Sequence, residues 1–519
     1  MNGFNAAEYL LDRHVREGRG ARTAVVSPSG HLTYAELAES AHRAAAGFRA
    51  LGIRPEERVM LCMVDGPELL SGILGAIYSG AVPVPVSTMV TGVELGTVLA
   101  DSRARVLCVS AEFVPAALVA LDAAPEVTDV VLDRGSGAEF GVRAHSWAAL
   151  STADSLDAPY PSWDDTVALW LYTSGTTGKP KAAMHRHADI RAVVECYAEG
   201  VLETAADDRF LSVPKLFFAY GLGNSAFFPL AAGAATILEP ARPTPKLIAR
   251  RVREERPTLF FGVPTFYSAV LASDVPDDSF SSVRQAVSAG EPLPAALYEQ
   301  FRQRFGVEVL DGIGSTEALH IFLSNRPGRV RPGSTGIAVP GYDVELRDEA
   351  GSVIAEPATP GELYVRGPSI ASGYWGRYDT TKRVFQGEWL RTGDSYVRNA
   401  DGTYSCLGRF DDMLKAGGIW VSPGEVEQRL LEHPSVAEAA VVAAPGPDGI
   451  DKPVACVAAT PGHVVDEAEL IEFCRAGLAS FKRPRRVVEV AELPKTATGK
   501  IRRNVIRDLV RDPAGVLAP

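Results

Sequence analysis

The chain is short of most features that assign a protein quickly. It has only six cysteines in 519 residues, and Cys62, Cys108, Cys196, Cys406, Cys456 and Cys474 show no metal-ligand spacing. Nothing resembles a disulfide framework, so a reducing cytoplasm is the expected setting. There is no basic excess either. Lys and Arg number 52 against 64 Asp and Glu, a formal charge of −12, which argues against general nucleic-acid binding. The most apolar run, residues 72–86, is short and is broken by Ser79, Pro83 and Pro85. It reads as a buried helix and a strand, not as a membrane span. Residues 1–10 carry Glu8 and no basic start, so no signal peptide is expected. Repeats and low-complexity tracts are missing.

What remains is an α/β pattern too long for one core. Residues 33–51 read as an amphipathic helix opened by Thr33, with Glu36 three positions on as a capping box. Residues 59–64, 81–86, 106–109 and 130–132 read as buried strands, and 71–78 as a helix. Strands alternating with helices point to parallel α/β layers. Residues 133–165, rich in Gly, Ser, Asp and Pro, read as a surface connection. The alternation resumes over 167–320. Short strands with frequent Gly and Pro follow over 330–410 and suggest a β-rich subdomain. After 411 it returns in miniature, with helices near 424–432 and 466–479 and a strand near 438–443. The expected architecture is a large domain, 1–410, of layered α/β sheets with the β-rich part at 330–410, and a small α+β domain, 411–519.

One stretch dominates the chemistry: Leu171-Tyr172-Thr173-Ser174-Gly175-Thr176-Thr177-Gly178-Lys179-Pro180-Lys181, after the apolar strand 167–170. Its glycines let backbone N–H groups converge, its hydroxyls add donors and its lysines add charge, which suits a polyphosphate. The spacing is not that of a Walker A loop, because Gly175 and Gly178 are too close and Pro180 follows Lys179. Asp311-Gly312-Ile313-Gly314-Ser315-Thr316-Glu317 follows a strand read at 307–310. A carboxylate among small residues there suits magnesium, which takes one or two carboxylates plus substrate phosphates. Trp389-Leu390-Arg391-Thr392-Gly393-Asp394 places another carboxylate just past an expected turn. Gly417 and Gly418 let an extended substrate pass close to the backbone.

Taken together, these stretches resemble the adenylate-forming superfamily of acyl- and aryl-CoA ligases, adenylation domains and luciferases. The resemblance covers nearly the whole chain. It implies a pyrophosphate-holding loop of Thr173, Ser174, Gly175, Thr176, Thr177, Gly178, Lys179 and Lys181. It implies Glu317 as ligand of a Mg2+ cofactor. Ala289, Gly290 and Glu291 would lie along the adenine, with Asp311, Gly312, Ile313, Ser315 and Thr316 completing the nucleotide site; Ile313 stands where many members have an aromatic residue. Asp394 would hold the ribose hydroxyls, with Arg409 near the ribose. Asp411 matches the family's hinge, which makes the small domain mobile. Lys415, Gly417, Gly418 and Trp420 match the strand that lines the CoA tunnel. Lys500, in the closing motif Pro494-Lys495-Thr496-Ala497-Thr498-Gly499-Lys500, matches the lysine that bridges a carboxylate oxygen and the α-phosphate.

Lys215-Leu216-Phe217-Phe218-Ala219-Tyr220-Gly221-Leu222-Gly223-Asn224 and Ala318-Leu319-His320-Ile321-Phe322 resemble the benzoate–CoA ligase branch. On that basis Ala219, Tyr220, Phe228, Gly314, His320 and Ile321 form a flat, mostly apolar slot, in which Tyr220 and His320 can also hydrogen bond. The implied reaction is two-step: an aromatic acid and ATP give an aryl adenylate and diphosphate, then CoA gives the aryl thioester and AMP. Benzoate, salicylate and anthranilate are all open as the acid. A carrier protein is the alternative acceptor, and the expected assembly is a monomer or homodimer with no membrane or nucleic-acid partner. The basic run 481–486 is a further candidate for the CoA phosphates, and His185 and His187 read as structural. Gly221-Leu222-Gly223-Asn224-Ser225-Ala226 fits the dinucleotide fingerprint, so an NAD(P)-dependent oxidoreductase is a rival; no helix and strand ending in an acidic residue follow it. An inactive scaffold is disfavoured, because Lys500, Glu317 and Asp394 are all present.

Overall fold

Strands that are apolar at every position need cover on both faces. In the structure, a computed structural model, these runs become the central strands of two sheets. The structure describes residues 3–134, 140–174, 180–410, 414–416, 419–445, 451–478, 482–495 and 501–511. The chain forms two compact units, Met1–Val344 with Val365–Arg391, and Glu345–Tyr364 with Thr392–Pro519.

In the first unit one sheet has five strands, in the order Val82–Pro85, Arg58–Cys62, Val106–Ser110, Asp129–Asp133, Arg143–Ser146. Every pairing in it is parallel. The other sheet has nine strands. Its centre is parallel, running from Val309–Gly314 through Gln285–Ser288, Leu259–Gly262, Arg209–Ser212 and Ala235–Ile237 to Thr23–Ser27. Loops at the carboxyl ends of such strands are where α/β folds place ligands.

Local signals set the helices. Tyr34–Ala50 begins at the capping box read from the sequence: Thr33 Oγ1 accepts from Glu36 N, and Glu36 accepts from Thr33 N. Thr91 and Glu94 repeat the device on Gly92–Ser102. Helix Pro67–Ser79 starts four residues before the expected 71, because Pro67 stands at its first turn. It packs against Tyr34–Ala50 so closely that a Cβ on Gly75 would lie 2.6 Å from the Ala41 carbonyl oxygen.

Residues 133–165 are not only a surface connection. They contain the edge strand Arg143–Ser146 and the helical turn Trp147–Leu150. Buried Asp129 ties down that edge, accepting from Arg143 at 2.7 Å with His145 Nε2 at 2.8 Å. Over 330–410 the chain runs as short strands, with helix Tyr378–Val384 among them.

The second unit holds the three-stranded sheet Val436–Pro445, Asp451–Ala459, Arg486–Glu489. Alternate residues face opposite cores. Ala439, Val441, Ala455 and Val457 pack with Val426, Leu430, Leu470 and Cys474. Ala440, Val442, Val454 and Cys456 pack with Ile506 and Val510. Helices Pro423–Leu431 and Glu467–Gly477 thus cover one face and Arg503–Arg511 the other. Among the described residues no helix is long and apolar enough to cross a membrane.

The helix crossing gives a stability test. Gly75→Ala adds helix propensity worth about 1 kcal/mol. The methyl meets backbone, however, and overpacking costs roughly 1–3 kcal/mol. The thermal midpoint is expected to fall; a midpoint at or above that of the parent protein would contradict this packing.

Candidate active site

The signature stretch is flanked by a hairpin. Val167–Ser174 and Pro180–Arg186 pair antiparallel, with Thr173 opposite Lys181 and Ser174 opposite Pro180. The strand expected to end at Trp170 therefore runs four residues further, through Ser174. Gly175, Thr176, Thr177, Gly178 and Lys179 lie outside the described residues, as does the side chain of Ser174. Thr173 is half-buried, and the Lys181 ammonium stands 4.7 Å from the centre of the Tyr374 ring.

The Asp311–Glu317 stretch corrects the sequence reading. Its strand does not stop at Leu310 but continues through Gly314, because residues 312–314 pair with the antiparallel strand Ile321–Ser324. The pairing explains the glycine at 314: a Cβ there would lie 2.4 Å from the His320 carbonyl oxygen. Ser315 then caps a single 3₁₀ turn, Thr316–Ala318, which carries Glu317. Leu319 closes it at φ +65° and ψ −32°, fully buried, a backbone conformation that costs a non-glycine residue on the order of 1–3 kcal/mol.

A strap over 369–375 holds this turn. Ser369 Oγ donates to the Ala318 carbonyl at 2.5 Å, Ala371 N to the Glu317 carbonyl at 2.8 Å, and Tyr374 Oη to Glu317 Oε1 at 2.6 Å. The same strap pairs with the hairpin, as Ser372 N donates to Met184 O, Met184 N to Gly373 O, and Trp375 N to Ala182 O. His185 Nε2 lies 2.8 Å from the Thr316 carbonyl, and its Nδ1 lies 3.1 Å from Asp189. His187 Nδ1 accepts from Ala6 N at 3.0 Å. Burial pushes the His187 imidazole down to about 4, so it stays neutral.

Along the adjoining strand ends, Ser288 sits opposite Asp311 in parallel register. Ala289 is buried, Gly290 takes φ +93° and Glu291 is half-buried. Burial holds the Asp311 carboxyl well above the usual carboxylate range, opposed by hydrogen bonding from Leu293 N and Thr335. Its Oδ1 has no hydrogen-bond partner among the described residues.

The expected acid slot draws distant rings together. His320 packs edge-on to Phe228 with ring centres 4.5 Å apart, and lies 5.5 Å from Tyr220. Ile321 is buried opposite Gly314, and Ala219 begins the helical turn that carries Tyr220. Two neighbours were not read from the sequence. Tyr197 lies 5.2 Å from His320, and Asn224 Oδ1 lies 3.1 Å from its Nε2. That partner makes Nε2 the donor and leaves Nδ1 an acceptor. Nδ1 is buried with no hydrogen-bond partner among the described residues. Burial lowers the His320 imidazole to about 3, so the ring is neutral at any working pH. Tyr220 Oη donates to the Val287 carbonyl at 3.2 Å, as Tyr267 Oη does at 2.7 Å. Tyr220 thus faces the slot as a ring, with its donor already engaged.

The rival dinucleotide motif does not form its turn. Residues 219–232 are helical throughout. Gly221 and Gly223 serve close packing instead: a Cβ at 221 would lie 2.0 Å from the Lys215 carbonyl oxygen, and one at 223 would lie 2.3 Å from His320 Cδ2.

In the second unit Asp394 is not past a turn but within strand Trp389–Arg398, directly opposite Arg409. Arg409 donates to Asp394 Oδ1 at 2.9 Å and to the Thr392 carbonyl at 3.2 Å. Lys415 and Trp420 are paired across a short hairpin. Asp411, Gly417, Gly418 and Lys500 lie outside the described residues, as do the side chains of Lys415 and Trp420. Of the basic run, Lys482 is paired with Glu425 at 2.6 Å and Arg483 donates to the Leu478 carbonyl.

Comparison with known proteins places the chain. Residues 11–375 match the model of the AMP-binding enzymes, and residues 425–500 that of the AMP-binding enzyme C-terminal domain. A benzoate–CoA ligase of Thauera aromatica is 43% identical over 97% of this chain and 96% of its own. The crystal structure of a benzoate CoA ligase from Burkholderia xenovorans LB400 superposes with a TM-score of 0.89 at 42% identity, covering 97% of this chain and all of that one. The anthranilate CoA ligase AuaEII, solved with anthranoyl-AMP, gives 0.93 at 36% identity, covering 99% of this chain and 98% of its own. With matches of this length and level, the chain belongs to the AMP-binding enzymes, in the benzoate–CoA ligase family of adenylate-forming enzymes.

Proposed function

We propose that this protein is an aryl-CoA ligase that activates a benzoate-type acid with ATP and transfers it to CoA. One observation carries the reading: the polypeptide that turns at Glu317 delivers, three residues later, the neutral ring of His320 into the cluster of Tyr220, Phe228 and Tyr197. Such walls hold a flat ring by apolar contact. A slot of this kind rejects one small added group only weakly, so a hydroxy- or aminobenzoate also fits the reading.

Thr173, Lys181 and the loop between them are proposed to receive the leaving diphosphate. Ala289, Gly290, Glu291 and the strand from Asp311 to Ile313, with Ser315 and Thr316, are proposed to hold the nucleotide. The residues at 317 fit a magnesium ion. Tyr374 engages Oε1, while Oε2 has no hydrogen-bond or ion-pair partner among the described residues. Among those residues no group of three or more His, Cys, Asp or Glu is suited to a metal. One carboxylate plus substrate phosphates is the ordinary magnesium arrangement. Glu317 would hold the ion, which neutralises phosphate charge. Asp394 is proposed to accept from the ribose hydroxyls, with Arg409 beside it on Oδ1.

Lys500 is proposed to bridge the attacking carboxylate and the α-phosphate in the first half-reaction. Lys415, Gly417, Gly418 and Trp420 are proposed to line the path of the thiol in the second, with Asp411 as the pivot at a domain boundary of 410/411. A carrier protein in place of CoA is the second acceptor. AMP release from a panel of benzoates and short fatty acids, with and without CoA, tests the whole reading. No AMP release with any aromatic acid would overturn it, and release that needs a carrier protein would replace the acceptor.

Three variants test the parts. Lys500→Ala is expected to lower ATP–diphosphate exchange at least about a hundredfold and to leave conversion of supplied aryl adenylate intact. Gly417→Trp is expected to do the reverse, sparing exchange and blocking thioester formation. Gly223→Ala presses on the His320 ring, and KM for the acid is expected to rise about tenfold or more while KM for ATP holds. An unchanged acid KM would remove His320 from the slot.

A further inference from the structure

The strap contributes more hydrogen bonds than the fold of the Glu317 turn requires. The backbone of that turn is already fixed by Ser369 on the Ala318 carbonyl, Ala371 N on the Glu317 carbonyl and His185 on the Thr316 carbonyl. The Tyr374 hydroxyl adds nothing to that backbone. It reaches the carboxylate itself, at 2.6 Å, the length expected when a hydroxyl donates to an ionised oxygen.

Tyr374 is well built to aim a carboxylate. Its ring is buried and packs edge-on to Phe385 at 5.2 Å and 72°. Its backbone bridges Ala183 on the signature hairpin, and its N–H donates to Thr381 Oγ1 at 3.0 Å. The Lys181 ammonium sits over the ring face, 4.7 Å from its centre, and holds the ring from that side. A glutamate side chain has three rotatable bonds and no preferred oxygen. Binding Oε1 to a rigid phenol leaves a single orientation for Oε2.

We propose that Tyr374 is a positioning residue for Glu317: it fixes one carboxylate oxygen so that the other is presented to the metal–nucleotide complex, and it couples that aim to Lys181 at the foot of the phosphate loop. This rests on Glu317 being the metal carboxylate. Partners that orient a metal ligand typically change metal affinity or activity by about 10–100-fold when removed.

The test uses the full-length enzyme with Tyr374→Phe, which keeps the ring and its packing and removes only the hydroxyl. Mn2+ binding in the presence of an unreactive ATP analogue is read by electron paramagnetic resonance, and diphosphate exchange is titrated with Mg2+. Both are expected to need about tenfold more metal. The thermal midpoint and the conversion of supplied aryl adenylate to thioester should hold. In a Glu317→Gln background, Tyr374→Phe should add no further effect on metal dependence, because the carboxylate that it aims is gone. If Glu317→Gln shifts metal dependence and Tyr374→Phe does not, the positioning role is wrong. If the two variants act additively, or Tyr374→Phe lowers the midpoint and damages both half-reactions alike, the role is structural and the proposal falls. If Glu317→Gln itself leaves metal dependence unchanged, it is the metal-ligand assignment that fails.

Discussion

A short strap with two hydrogen-bonded edges governs the candidate site. Residues 369–375 face the Glu317 turn with one set of groups and the signature hairpin with the other. The elements that it joins are far apart in the chain, and neither is anchored by its own local structure. The 3₁₀ turn at 316–318 is one turn long, and a hairpin of two strands is marginal without a third. Backbone hydrogen bonds from the strap brace the hairpin along one edge, and side chains from the same segment reach the Glu317 turn and its carboxylate. At the end of the strap Trp375 Nε1 donates to the Asp101 carbonyl, and Arg377 and Tyr172 both bind the Asp101 carboxylate. The hairpin is thereby tied on its far side to helix Gly92–Ser102.

The second constraint is closeness of backbone. Gly312 and Gly314 let the antiparallel strand approach, and Gly223 lets a helix lie against the His320 ring. The consequence is a ring cluster whose members share supports. Val287 accepts from both Tyr220 and Tyr267, and Asn224 accepts from His320. Side chains held in this way are ordered by the fold itself. Burial keeps His320 neutral, so the cluster of His320, Tyr220, Phe228 and Tyr197 is one of uncharged rings.

Where sequence carried local physics, it was legible. The Thr33–Glu36 box and the parallel strands follow from spacing within about ten residues. The family was legible from the Thr173–Lys181 and Asp311–Glu317 stretches, and the aromatic branch from Ala219–Tyr220 and His320–Ile321. What escaped was long-range pairing. Strand Val309–Gly314 extends past Leu310 only because another strand lies beside it, and Asp394 is within a strand only because Tyr404–Arg409 pairs with it. Tyr374 stands 57 positions from Glu317 and Tyr197 stands 123 from His320. No spacing rule connects residues at that distance; a buried tyrosine in sequence is simply a tyrosine.

The hairpin register has a parity. Side chains alternate along a strand, so Thr173 and Lys181 share one face while Tyr172 and Ala182 share the other, where Tyr172 grips Asp101. A one-residue slip in the pairing of the two strands would exchange those faces and turn the lysine toward the body of the protein. The connecting segment is therefore bound by its count as well as its letters: a change in its length is harmless only where the strands on either side keep their register.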